Sequence, residues 1–257
     1  MRGEPGEERH PESGRTLPVG DVGKLDLDRD RRTGVPEVIL AEGKDPDDVV
    51  ALARALHDAT GLAVVSGLDG DLAERLAGDL PLVYHRRARI GVADSRPPAV
   101  GSAGTVGILS GGTADIQVAE EARVMAEVLG CRTVVEHDVG VAGLHRLTEA
   151  LDRMVGRVDV YLVVAGREGA LGPVVAGLVD RPVIGIPVST GYGAGGGGEA
   201  ALMTMLQSCS PLLVVNVDAG VVAGMMASKI LRARPPQRIS GGCEAGVGRR
   251  WHRMMRR

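Results

Sequence analysis

The chain has 257 residues, 44% hydrophobic but only 2% aromatic, with no phenylalanine, so its core must come from Val, Leu, Ile and Ala, the palette of a buried parallel sheet wrapped by helices. A net charge of −3 argues against a general nucleic-acid binder, and no apolar run reaches the ~18 residues of a membrane helix. Three cysteines, at 131, 209 and 243, show no paired or C-x-x-C spacing, which fits a reducing cytoplasm and not a disulfide framework.

Residues 1–23 are rich in Gly, Pro and Glu and predict a disordered tail; "MRGEPGEERHPESGR" also lacks the apolar centre of a signal peptide. "VPEVILAEGKDPDDVVALARALHDA" predicts a strand at 36–41 and a helix at 46–59, with Asp45 as N-cap. "GLAVVSGLDGDLAERLAG" and "LPLVYHRRARIGVAD" continue as strand, helix and strand, making a small N-terminal α/β module over 24–100. "DSRPPAVGSAG" breaks the pattern and marks a boundary.

From residue 104 strands and helices alternate. "TVGILSGG" leads to a helix at 115–129 stopped by Gly130. "RTVVEHDVG" leads to a helix at 144–155, "VDVYLVVAG" to one from about 170, and "RPVIGIPVS" to one at 199–208. "PLLVVNVD" reads as a buried strand before a helix at 221–232. Five strand–helix units over 101–232 predict an α/β fold with a doubly wound parallel sheet in three Rossmann-like layers. The Arg-rich segment 233–257 reads as an irregular solvated extension or, less often, a basic contact arm.

Ligands of such sheets bind at the carboxyl ends of the strands. "SGGTAD" contributes Ser110, Gly111, Gly112, Thr113 and Asp115, with Thr113 placed for a phosphate and Asp115 for a ribose hydroxyl; an ordinary helix cap is the alternative. "AGREGALG" offers Gly166 and Glu168, a base whose pKa partial burial would raise, or else a solvent-facing turn residue. "VSTGYGAGGGG" offers Ser189, Gly191 and Tyr192 in a glycine-rich loop or lid without the G-K-[ST] of a Walker loop. "NVDAG" offers Asn216 and Asp218, a pocket carboxylate, a metal ligand or a helix cap. Cys209, beside Ser208 in "MLQSCSPLL", is either a small core residue or a nucleophile. Cys131 reads as core and Cys243 as incidental, while His85, His137 and His145 are scattered and read as structural or surface residues. H-E-x-x-H and G-x-S-x-G motifs are absent.

The run "AGREGALGPVVAGLVDRPVIGIPVSTGYGAGGGGEAALMTMLQSCSPLLVVNVDAGVVAGMMA", with "SGGTADIQVAEEA", resembles the LarB branch of the PurE-like AIR carboxylase family. "RRTGVPEVILAEGK" and "VYHRRARIGV" resemble LarB-specific segments, which adds Arg32, Glu37, Lys44 and His85 as N-terminal site candidates. The resemblance spans about residues 24–232. It implies carboxylation of the pyridinium ring of nicotinic acid adenine dinucleotide, with hydrolysis of its phosphoanhydride, in nickel-pincer cofactor synthesis. Cys209 would be the nucleophile and Glu168, or secondly Asp218, the base. It further implies carbon dioxide or bicarbonate as co-substrate, no tightly bound cofactor, assistance that Mg²⁺ could give without a defined ligand set, and a homo-oligomer, an octamer in the PurE-like proteins. Departures from the family pattern are Ala114 for Ser, Gly172 for Pro and Ala219 for Asn. Ala170 stands where the purine-pathway mutases carry a His, so the resemblance favours the LarB branch over that chemistry or an inactive nucleotide-binding scaffold.

Overall fold

Residues 14–97 and 103–233 are described by the computed structural model. Contacts divide the chain into two units between Pro97 and Pro98, within the Pro-rich break. Cys243 and nearly all of the Arg-rich segment lie outside the described residues.

The first unit opens with an antiparallel hairpin of β1 (Thr16–Val19) and β2 (Gly23–Asp26), which corrects the expectation of disorder up to residue 23. Alternation explains it: Leu17, Val19 and Leu25 turn to the core of this unit, outweighing the polar composition. The carboxylate of Asp28 secures the strand entry, accepting from the Arg15 backbone N–H at 2.8 Å and from its guanidinium at 3.2 Å. There follow α1 (Arg29–Thr33), β3 (Ile39–Leu40), α2 (Pro46–Thr60), β4 (Leu62–Ser66), α3 (Gly70–Asp79), β5 (Leu82–His85) and β6 (Ile90–Asp94). Asp45 caps α2 as expected, accepting from the Asp47 N–H at 2.8 Å. The strand expected at 36–41 is only two residues long, since Pro36 has no N–H to give a ladder. "LPLVYHRRARIGVAD" is a hairpin and not one strand: Arg89, at φ 51°, turns the chain back. The sheet order is β3-β4-β6-β5.

The second unit runs β7 (Thr105–Ser110), α4 (Ile116–Val128), β8 (Arg132–Glu136), α5 (Leu144–Met154), β9 (Val160–Ala165), α6 (Leu171–Leu178), β10 (Val183–Pro187), α7 (Glu199–Leu206), β11 (Leu213–Val214) and α8 (Gly220–Arg232). Its five strands are all parallel in the order β11-β10-β9-β7-β8, which numbered within this sheet is 2-1-3-4-5 read from the other edge. The central strands β7, β9 and β10 are buried throughout, as their unbroken apolar runs require. One face packs on α4 and α8, where Cys131 sits in the core as expected; the other packs on α5, α6 and Met205 of α7. This is the doubly wound, three-layer arrangement. The last strand departs from expectation: β11 is a two-residue edge, with Leu213 54% exposed.

Candidate active site

Strand order decides where a ligand fits. β7 and β9 are neighbours, but the chain leaves β7 for α4 on one face and β9 for α6 on the other. The chain thus leaves them in opposite directions, which makes the carboxyl end between them the topological switch point, where open sheets of this kind form their ligand crevice.

Asp115 closes the floor of that crevice. It is 5% exposed, and its Oδ2 accepts from the Gly112 N–H at 2.8 Å. Its Oδ1 accepts from the Gly166 N–H and the Thr190 hydroxyl, each at 3.2 Å. One carboxylate therefore ties together the loops after β7, β9 and β10. Burial pushes the Asp115 carboxyl up, against the hydrogen bonds from Gly112, Thr190 and Gly166, which lower it. With its oxygens engaged in this way, Asp115 shapes the crevice and is not the free ribose acceptor that the sequence suggested. The cap alternative holds in part: Asp115 stands at the N-cap position of α4, and its bond from the Gly112 N–H closes the short turn Thr113–Asp115 before that helix, while its side chain makes no cap bond to α4 itself.

Asp218, at φ 58°, does the same for the fourth loop. Its Oδ1 accepts from the Ser189 N–H at 2.9 Å while its own N–H donates to the Pro187 carbonyl at 3.0 Å. The loops after β10 and β11 are thus joined, and all four loops singled out in the sequence meet at one end of the sheet.

A fifth loop belongs with them. Residues 137–143, "HDVGVAG", follow β8, and Gly140 lies so close to the Gly111 carbonyl that a Cβ would come within 2.7 Å of its oxygen. His137, expected to be structural or on the surface, holds the first loop from beneath. Its Nδ1 is 2.9 Å from the hydroxyl of fully buried Ser110, and its Nε2 is 3.6 Å from Glu120 of α4. Asp138 is paired with Arg146 at 2.5 Å. The sequence signal for this loop was there: glycines and an acid after an apolar strand, the pattern of the other four. Thr190 and Arg167 were also passed over.

The remaining candidates divide clearly. Thr113, Glu168, Ser189, Tyr192 and Asn216 are exposed at the crevice end, with Gly191 beside them. Glu168 is therefore not the partly buried carboxylate that the sequence reading supposed. Asn216 spends its Oδ1 on the Val217 N–H at 2.9 Å. Ser208 closes a local turn, donating to the Ser210 carbonyl at 2.9 Å and accepting from the Ser210 N–H at 3.0 Å. Cys209 is exposed and so is not a core residue, but within one chain it is not at the crevice. α7 starts at the carboxyl end of β10 and carries the chain back along the sheet, leaving Cys209 just before β11 begins. Ser210 touches Gly177 near the end of α6, which places this turn at the amino ends of the strands.

In the first unit Arg32 pairs with Asp26 and Glu37 with Arg29 at 3.2 Å. Lys44 donates to the Leu40 carbonyl at 2.7 Å, and His85 ends β5 half-buried. Among the described residues no three His, Cys, Asp or Glu side chains gather to hold a metal ion, and no helix is long and apolar enough to cross a membrane.

Comparison with known proteins now bears on this geometry. Residues 105–240 match the AIR carboxylase family, and residues 18–95 match the LarB/PurE-like N-terminal domain. The chain belongs to the LarB/PurE-like AIR carboxylase family. An uncharacterized protein of Methanocaldococcus jannaschii is 41% identical over 219 residues, covering 81% of this chain and 84% of its own. The N5-carboxyaminoimidazole ribonucleotide mutase of the same organism is 34% identical over 128 residues, covering 48% of this chain and 76% of the mutase. The similarity to this family member named for its activity therefore covers about half of the chain. AIR carboxylase similarity falls on the unit that holds the crevice, and LarB similarity on the other.

Proposed function

We propose that this AIR carboxylase family member carboxylates the pyridinium ring of nicotinic acid adenine dinucleotide and hydrolyses its phosphoanhydride, releasing AMP and pyridinium-3,5-biscarboxylic acid mononucleotide. The observation that carries the reading is the crevice itself: five glycine-bearing loops at a switch point, three of them joined by buried Asp115, in a chain whose other unit matches the LarB/PurE-like N-terminal domain. Glycine-bearing loops at the carboxyl ends of parallel strands let backbone come close to phosphates.

The chemistry asks for a nucleophile. A pyridinium ring carbon is electron-poor and does not attack carbon dioxide. Addition of the Cys209 thiolate at carbon 4 gives a dihydropyridine in which carbon 5 is an enamine carbon. Carbon 5 then bonds carbon dioxide, loses its proton to a base, and expels the thiolate as aromaticity returns. Exposed Cys209 is free to act in this way, and Glu168, at the crevice end, is the first candidate base with Asp218 second. Mg²⁺, where it takes part, would enter with the phosphates of the dinucleotide. Because Cys209 and the crevice lie at opposite ends of the sheet, the reading requires Cys209 of one copy beside the loops of another, in a homo-oligomer with shared sites.

The purine-pathway mutase reaction is the second reading, favoured by the named relatives. Ala170, where the mutases carry a His, and the LarB-type unit speak against it. Incubating the full chain with the dinucleotide, bicarbonate and Mg²⁺ should give AMP and a mononucleotide heavier by one carboxylate, and Cys209→Ala should give neither. Turnover of N5-carboxyaminoimidazole ribonucleotide in place of the dinucleotide would establish the second reading.

A further inference from the structure

The reaction scheme gives no task to Arg167, a cation at the crevice. Arg167 directly follows Gly166, whose N–H donates to Asp115, and it holds a left-handed backbone at φ 49°. Its side chain reaches the glycine-rich loop, where the guanidinium carbon lies 4.4 Å from the centre of the Tyr192 ring. The two loops touch at this point: a Cβ on Gly191 would come within 3.2 Å of the Arg167 backbone nitrogen, so a larger residue there would push Tyr192 away. Tyr192 is 77% exposed, so the Arg167–Tyr192 pair is open to a ligand from solvent. Arg146, at the same end of the sheet, is spent on Asp138. Among the described residues no carboxylate pairs with Arg167.

A guanidinium held over an aromatic ring by cation–π attraction makes no hydrogen bond to that ring's face and keeps N–H groups for another partner. An oxyanion is the partner that these groups fit, since a carboxylate or phosphate takes two of them side by side. We infer that Arg167, positioned by Tyr192, is the anion clamp of the crevice and binds an oxyanion of the nucleotide substrate. Which oxyanion it takes, phosphate or ring carboxylate, rests on the dinucleotide reading above; the clamp itself rests on the geometry.

Calorimetry on the full chain tests this with three probes: inorganic pyrophosphate, nicotinic acid mononucleotide and nicotinamide mononucleotide. Arg167→Met, which keeps an unbranched apolar stem and removes the charged head, should weaken the probes that the clamp holds by about 10- to 100-fold, the range for losing a charge-assisted hydrogen bond. Tyr192→Phe keeps the ring and should stay within about 2-fold of the parent, while Tyr192→Leu should lose about 2- to 5-fold. Weakening of all three probes identifies a phosphate. Loss confined to the preference for the acid over the amide mononucleotide identifies the carboxylate. Arg167→Met binding every probe as tightly as the parent, or a parent that binds none of them, overturns the clamp. A clamp that passes in a protein that leaves the dinucleotide unconsumed would stand while the carboxylase reading falls.

Discussion

Replacing Asp115 by asparagine keeps the shape of the side chain and turns one acceptor oxygen into a donor. With the amide oxygen toward Gly166 and Thr190, the new NH₂ faces the Gly112 N–H, now 2.8 Å from Oδ2. The flipped amide instead sets its NH₂ against the Gly166 N–H and the Thr190 hydroxyl, both now 3.2 Å from Oδ1. Either way one backbone N–H loses its acceptor, at about 1–3 kcal/mol. Removal of a buried charge offsets part of this, so the net loss at neutral pH should be about 1–2 kcal/mol, a few degrees in Tm for a unit of this size. Asp115→Ala strands all three donors and should cost more, roughly 2–5 kcal/mol.

The pH dependence has a definite sign. Burial raises the folded carboxyl above its ordinary value of 3.8. A raised carboxyl contributes stability that is fully present below the unfolded value and lost as pH rises through the folded one. The stability of the parent relative to Asp115→Asn should therefore be largest in acid and shrink to a plateau on the way to neutrality. Urea unfolding of both proteins from roughly pH 4 to 8 measures that gap. An asparagine variant equal to the parent at every pH, or a gap that widens as pH rises, would refute the assignment of Asp115 as the tie between loops.

Burial and close packing set other outcomes. Brief treatment of the native protein with a maleimide, read by peptide mapping, should label exposed Cys209 and spare Cys131, whose thiol burial also pushes up in pKa; labelling of Cys131 before unfolding would contradict its place in the core. Gly140→Ala should destabilise by about 1–3 kcal/mol, because Gly140 has φ −59°, which alanine accepts, and the clash is with the Gly111 carbonyl, which is backbone. Gly78→Ala, inside α3 with nothing within 4 Å of the new methyl, should instead gain about 0.5–1 kcal/mol. Denaturant melts distinguish the two, and equal effects would remove the contact argument.

Much of the second unit is legible because buried parallel strands need unbroken apolar runs, and β7, β9 and β10 are such runs with glycine in the loops that follow. The loops were readable for the same reason. What Asp115 does was not, since its partners lie 51 and 75 residues away and meet only once β7 and β9 are neighbours. Cys209 lies shortly after the glycine-rich loop in sequence, yet the eight residues of α7 carry the chain about 12 Å along the sheet in between, which a local pattern does not reveal. The hairpin at 16–26 was hidden by its polar composition, although Leu17, Val19 and Leu25 already alternated. Glu168 was expected to be partly buried, and a residue's cover depends on what lies across it, which a local pattern does not contain.

Thiolate addition to the pyridinium ring is the step on which the proposed reaction turns, and it leaves mass on one side chain. The full chain, held with nicotinic acid adenine dinucleotide without bicarbonate and quenched in acid, should show by intact mass and peptide mapping a pyridine nucleotide adduct on Cys209, lost in Cys209→Ser. An unmodified Cys209 in protein that still converts the dinucleotide would contradict the account.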